Sequence, residues 1–149
     1  LGEECIFSES PRTNEAVAYE DVTALAVEKS VFIELGQRKS LVLERIGRSI
    51  TEKKVYQEQW HSFLLYRTVP ARLAGLFLRL AKKFGVRDSR GIILNLKLTH
   101  REMAAIIGAS RETVSFAILD LRKRGIIQVD GKRVVLVDLD AVQQLLSES

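Results

Sequence analysis

The sequence predicts an α+β fold, and three observations predict it. Residues 37–65, without proline, carry apolar side chains at helical spacing. Residues 98–125 pair two capped helices across a glycine. A strand with alternating polarity precedes that pair, and a hairpin signal follows it.

Taken in order, residues 1–27 read as short strands at Cys5–Phe7, Ala16–Ala18 and Val22–Val27, with turn chemistry at Ser8–Pro11 and Glu20-Asp21. Ser30 is placed to cap a short helix, Val31–Leu35, that stops at Gly36. The next segment carries Leu43, Ile46, Ile50, Lys53, Gln57, Trp60 and Leu64 at steps of three and four. Beside it, Leu35, Val42, Ser49, Tyr56 and Phe63 recur every seventh residue. A helix of this length spans roughly 40 Å at about 1.5 Å per residue, too long to bury within one small domain. Its sticky face is therefore expected to form a dimer seam through Leu43, Ile46, Ile50, Gln57 and Trp60. The polar groups of Lys53 and Gln57 would set its register or face a ligand.

Thr68-Val69-Pro70 reads as a hinge and a new helix start. The hydroxyl can cap, and proline in a first turn lacks only an N–H that would be unpaired anyway. Leu73, Leu76, Phe77, Leu80, Ala81 and Phe84 follow at helical spacing up to Gly85, and residues 86–91 read as a polar loop. Ile92–Leu98 alternates as a strand with one buried face. Residues 126–137 read as a hairpin turning at Asp130-Gly131, and a last short helix starts near Asp140.

Charge is unevenly spread. Residues 1–69 hold 9 basic and 11 acidic side chains, whereas 70–149 hold 14 and 8, so the C-terminal half is the one suited to a polyanion. No stretch approaches the roughly 18 apolar residues of a membrane span, and the first residues lack the pattern of a signal peptide. The single cysteine, Cys5, excludes an internal disulfide and fits a reducing cytoplasm. The chain opens on Leu1 in what reads as mid-domain sequence, so a missing N-terminal part is expected.

The chemistry is concentrated in residues 98–125. Thr99 and Glu102 have the spacing of a capping box, Gly108 allows a left-handed turn, and Ser110 can cap the second helix. Small Ala104 lets the helix axes approach, and Val114 fills the space between them with Ile107, Ile118 and Leu121. This is helix-turn-helix spacing, with a hairpin wing behind it. A helix of this width fits the major groove, and its leading turn meets base edges. Arg111 can fork onto guanine, Glu112 can accept from cytosine, Ser115 can serve either base, and Phe116 can touch a thymine methyl. Thr99, Ser110, Thr113, Lys132 and Arg133 are placed for phosphates, and His100 reads as a phosphate contact or plain surface.

Residues Gly108-Ala-Ser-Arg-Glu-Thr-Val-Ser115 resemble the recognition signature of the cyclic-AMP receptor protein/FNR (Crp/Fnr) family of bacterial regulators. The resemblance implies a remnant of a β-roll effector domain over 1–36, a dimerisation helix over 37–67 and a winged-helix domain over 68–149. It also implies a cytoplasmic homodimer on a pseudo-palindromic, double-stranded DNA operator, in contact with RNA polymerase. Two departures stand out. Phe116 replaces the arginine that usually ends the signature, which would change the base preferred there. Gln57-Glu58 stands where nucleotide-binding members present Thr-Ser. Gly2-Glu3 and Arg12-Thr13 resemble, with one residue fewer between them, the pairs that hold a cyclic nucleotide, which makes such a nucleotide one candidate for an otherwise unknown effector; the alternative is a turn glycine, a capping glutamate and a solvated Arg12. The competing expectation is a ligand-sensing dimer whose recognition helix no longer reads DNA. No residues suggest an enzyme or a metal site, and one cysteine cannot hold an iron–sulfur cluster.

Overall fold

The structure, a computed structural model, describes residues 2–9, 15–18, 21–65 and 67–147. The chain divides into two compact units, residues 1–59 and 60–149.

In the first unit a 3-10 turn, Glu3–Ile6, lies beside helix α1 (Lys29–Arg38), with Lys29 Nζ donating to the Ser8 carbonyl at 2.8 Å. Helix α2 (Ser40–Leu65) begins here, and its last turns belong to the second unit. The strands predicted at Cys5–Phe7, Ala16–Ala18 and Val22–Val27 are not formed by the described residues. A strand needs a neighbour to complete its ladder, and these segments find none among the described residues; Val17, Val22 and Leu25 are exposed. Ser30 is not the cap of α1. Glu28 occupies that position, and the Ser30 hydroxyl donates to its carboxylate at 3.3 Å. Nor does Gly36 stop the helix, which runs on to Arg38. A Cβ at Gly36 would meet the Leu43 side chain at 2.5 Å, so this glycine makes room for packing. The helix predicted over 37–65 is therefore two helices broken at extended Lys39.

In the second unit helix α3 (Val69–Phe84) is capped by Thr68, whose hydroxyl accepts from Ala71 N at 3.4 Å. Strands β1 (Gly85–Asp88) and β2 (Gly91–Leu94) follow. Helices α4 (His100–Ile107) and α5 (Arg111–Lys123) come next, then strands β3 (Ile127–Asp130) and β4 (Arg133–Leu136), and helix α6 (Leu139–Leu145). The strands form one antiparallel sheet in the order β1-β2-β4-β3. The polar loop predicted at 86–91 is instead mostly hairpin. Strand β1 is exposed along its whole length, so no burial pattern marks it, and it is held by backbone pairing to β2. The strand expected over 92–98 ends at Leu94, where pairing stops.

The predicted hairpin turn moves by one residue. Asp130 pairs with Arg133, leaving Gly131-Lys132 as the two-residue loop, with Gly131 at φ 61° and Lys132 outside positive φ. That is the II′ pattern, glycine first, rather than I′. Phe77, Leu73, Ile107, Leu121, Ile127 and Leu136 are fully buried and form the centre of one core joining α3, α4, α5 and the sheet.

Candidate nucleic-acid interface

The pair α4–α5 is built as its residues require. The Thr99 hydroxyl accepts from Glu102 N at 3.2 Å, and the Glu102 carboxylate accepts from Thr99 N at 2.6 Å. The Thr99 backbone N–H, and then its hydroxyl, hold the Glu102 carboxyl below its ordinary range; Lys132 adds a smaller pull. Gly108 closes α4 at φ 65°, ψ 49°, where a side chain would be strained. Ser110 caps α5, accepting from Thr113 N at 3.1 Å, and its hydroxyl meets that of Thr113 at 2.9 Å.

Val114, Ala117, Ile118 and Leu121 form the buried face of α5, against Ala104 and Ile107 of α4. The rest of the leading turns stays outside. Arg111, Glu112 and Thr113 are exposed, and Phe116 is 73% exposed on the side away from Val114. A single exposed phenylalanine is not itself a site, but this one lies on a helix whose start is both capped and free. Ser115 is half-buried: its hydroxyl donates to the Arg111 carbonyl at 2.8 Å and lies 2.8 Å from His100 Nδ1.

Two features escape the sequence. Arg72 of α3 donates from Nε to the Arg67 carbonyl at 2.7 Å, and from Nη1 to the Ile107 and Gly108 carbonyls at 3.2 Å each. It thus ties the start of α3 to the helix-turn-helix turn, through backbone acceptors that no side-chain pattern announces. Arg90, in the β1–β2 turn, pairs with Asp88 and reaches Asp130 at 3.2 Å, bracing the wing. Beside it lies an open groove of about 470 Å³, lined by Lys97, Asp130, Gly131, Lys132 and Arg133.

The seam residues are placed unequally. No described residue of α2 is buried. Leu43 packs on Gly36, Ile46 and Ile50 are half-buried, Gln57 is exposed, and Lys53 pairs with Glu3. Trp60 is committed within its own unit. It packs on the core, stacks on Phe63 at 5.5 Å and lies under the Arg79 guanidinium at 4.0 Å. Of the effector candidates, Gly2 is left-handed and Glu3 is held by Lys53, which lowers its carboxyl to about 2. Arg12 and Thr13 lie outside the described residues. Cys5 is a half-buried free thiol. Among the described residues no cluster of potential metal ligands is found, and no helix is long and apolar enough to cross a membrane.

Residues 71–145 match the Crp-like helix-turn-helix domain. The chain belongs to the Crp/Fnr family of transcriptional regulators. Its similarity to other Crp/Fnr members runs beyond that domain. It is 31% identical over 138 residues to a CRP-like cAMP-activated global transcriptional regulator of Mycobacterium tuberculosis, covering 93% of this chain and 62% of that protein. It is 33% identical over 139 residues to the anaerobic regulatory protein of Bacillus subtilis, covering 92% and 58%. The fold superimposes on a CRP-family regulator of Thermus thermophilus with a TM-score of 0.66, at 29% identity over 72% of this chain and 55% of that one. The chain thus spans about three fifths of the length of such curated relatives.

Proposed function

We propose that this Crp/Fnr chain regulates transcription as a homodimer, setting the two copies of α5 into successive major grooves of a pseudo-palindromic operator. One observation carries the reading: the leading turns of α5 are capped and free, with Arg111, Glu112 and Phe116 outward, while Val114 and its neighbours are buried in the core. Arg111 and Glu112 supply base-edge contacts, and Lys132 with Arg133 meets phosphate from the wing. Half-sites would lie about one helical turn, roughly 34 Å, apart.

The dimer forms along α2 through Ile46, Ile50 and Gln57, the seam positions that lie outside the winged-helix core. Leu43 extends this face while resting on Gly36. An effector biases the hinge before α3, and the name of the mycobacterial relative makes a cyclic nucleotide the first candidate to assay. RNA polymerase is the expected protein partner, and the cytoplasm the expected compartment.

Selection of bound sequences from a random duplex pool, with and without cyclic nucleotides, tests the reading. Recovery of an inverted repeat is the expected result. A pool without enrichment, together with monomeric sedimentation, would sink it.

A further inference from the structure

We infer that Phe116 and Leu119 form an apolar ridge that reads the 5-methyl groups of thymine, so that base choice beneath the ridge depends on methyls rather than on polar base atoms. This rests on the DNA-binding reading above and names what that site recognises along its outer face.

Helix α5 packs on the core through Val114, Ala117, Ile118 and Leu121. Phe116 stands two residues after Val114, and Leu119 two residues before Leu121. At 3.6 residues per turn each is roughly 160° around the helix from its buried neighbour. Three positions apart, the two share one stripe, on the face opposite the core. Phe116 is 73% exposed and Leu119 45%. Neither joins the core, and Phe116 has no ring or cation partner among the described residues. Single exposed apolar side chains are ordinary. Here two stand in register, with Glu112 one turn before them and Lys123 one turn after, all exposed. The stripe is charged at its ends and apolar in its middle.

A phenyl ring and an isobutyl group neither donate nor accept hydrogen bonds, so the middle of the stripe cannot read the polar pattern of a base edge or grip a phosphate. The major groove offers one apolar group on its bases, the 5-methyl of thymine. Burying that methyl against the ridge withdraws apolar surface of both partners from water. The stripe continues the exposed leading turn that holds Arg111 and Glu112, so a helix seated by that turn carries the ridge along the same groove. Leu119 follows Phe116 by about 4.5 Å along the helix axis, and base pairs stack about 3.4 Å apart, so the two side chains serve neighbouring base pairs.

The test is the affinity of the 149-residue chain for its selected operator, by fluorescence anisotropy, with thymidines replaced in turn by deoxyuridine in both half-sites. Uracil pairs as thymine does and keeps its carbonyl acceptor, so only the methyl is lost. The wild-type chain should lose about four-fold for each methyl removed from beneath the ridge, at two neighbouring positions of each half-site. Cytosine placed there and methylated at its fifth carbon should recover a similar factor over unmethylated cytosine. Phe116→Ala should bind thymine and uracil alike at one of the two positions, and Leu119→Ala at the other. Both side chains are exposed, so melting temperatures should hold; Phe116→Ser and Leu119→Ser replace either variant if its melting transition shows misfolding. Arg111→Ala should weaken binding yet keep the discrimination. Wild-type binding indifferent to uracil at every thymine would overturn the proposal alone, since a protein partner on the same stripe takes no notice of base methyls. Discrimination that survives in both ridge variants would do the same. Absence of binding to every duplex would overturn the DNA-binding reading with it.

Discussion

Arg111 and Val114 stand three residues apart on α5 and answer to different forces. Arg111 is exposed at the first helical position, whereas Val114 is fully buried. Arg111→Ala should leave the melting temperature nearly unchanged. It should cost about 1–3 kcal/mol on the selected operator and relax one base position, read by repeating the selection with the variant. Equal loss on every duplex would instead make Arg111 a phosphate contact. Val114→Ala should behave in the opposite way. Removing two methyl-sized groups from a closed core costs about 2 kcal/mol of folding stability, visible as a lower urea midpoint. The sequence separates these two roles well, because period and residue type suffice. It does not separate Ser115 from its neighbours. Ser115 reads from the sequence as a base contact, and nothing local announces that its hydroxyl lies 2.8 Å from the imidazole fifteen positions earlier.

The helix-turn-helix is an element held by its ends. Gly108 sits at φ 65° in open space, with only Arg72 Nη1 at 4.0 Å from an added Cβ. Gly108→Ala should therefore cost only the left-handed penalty, about 1 kcal/mol, measured by urea denaturation. At the other end of α4 the Glu102 carboxyl, depressed by the Thr99 cap, stabilises the folded chain only while ionised. Its folded value lies below its unfolded one, so the contribution is full above the ordinary glutamate range. It fades as pH falls through the depressed value. The melting temperature of Glu102→Ala should accordingly lie below wild type near neutrality and converge on it in acid. A gap that persists unchanged in acid would mean that the cap works without its charge. Both ends of α4 were legible, because caps are local chemistry within four residues. The wing turn was legible only to within one residue. Asp130-Gly131 reads as I′, yet pairing of Asp130 with Arg133 carries the loop to Gly131-Lys132.

At the scale of the whole molecule, charge and assembly carry the predictions. The basic side chains of residues 70–149 exceed the acidic ones by six, and Lys132 and Arg133 line the groove at the wing. Lys132→Ala should weaken binding to all duplexes alike. It should reduce the slope of log affinity against log salt by about 0.9 per protomer. A change in base preference instead would make Lys132 a reader. Ile50→Glu places a charge on the proposed seam of α2 and should convert a dimer to a monomer in sedimentation while the winged-helix unit stays folded. Trp60→Ala should do the reverse, lowering the melting temperature of that unit, because Trp60 packs on its core beneath Arg79.

What the sequence determined by itself is the helix-turn-helix, its caps, its glycine turn, its buried face and the basic character of the half that contains it. All but the last are set by residues within a turn or two of one another. Only the tertiary structure decided that residues 2–9, 15–18 and 21–28 form no strands, that β1 pairs although wholly exposed, and that Arg72 fastens the turn to α3. It also decided that Trp60 serves the core of its own unit. The physical reason is common to all four. A ladder, a carbonyl acceptor or a packing partner far along the chain leaves no periodic mark on the residues that need it, whereas a cap or an amphipathic face writes itself into neighbouring positions.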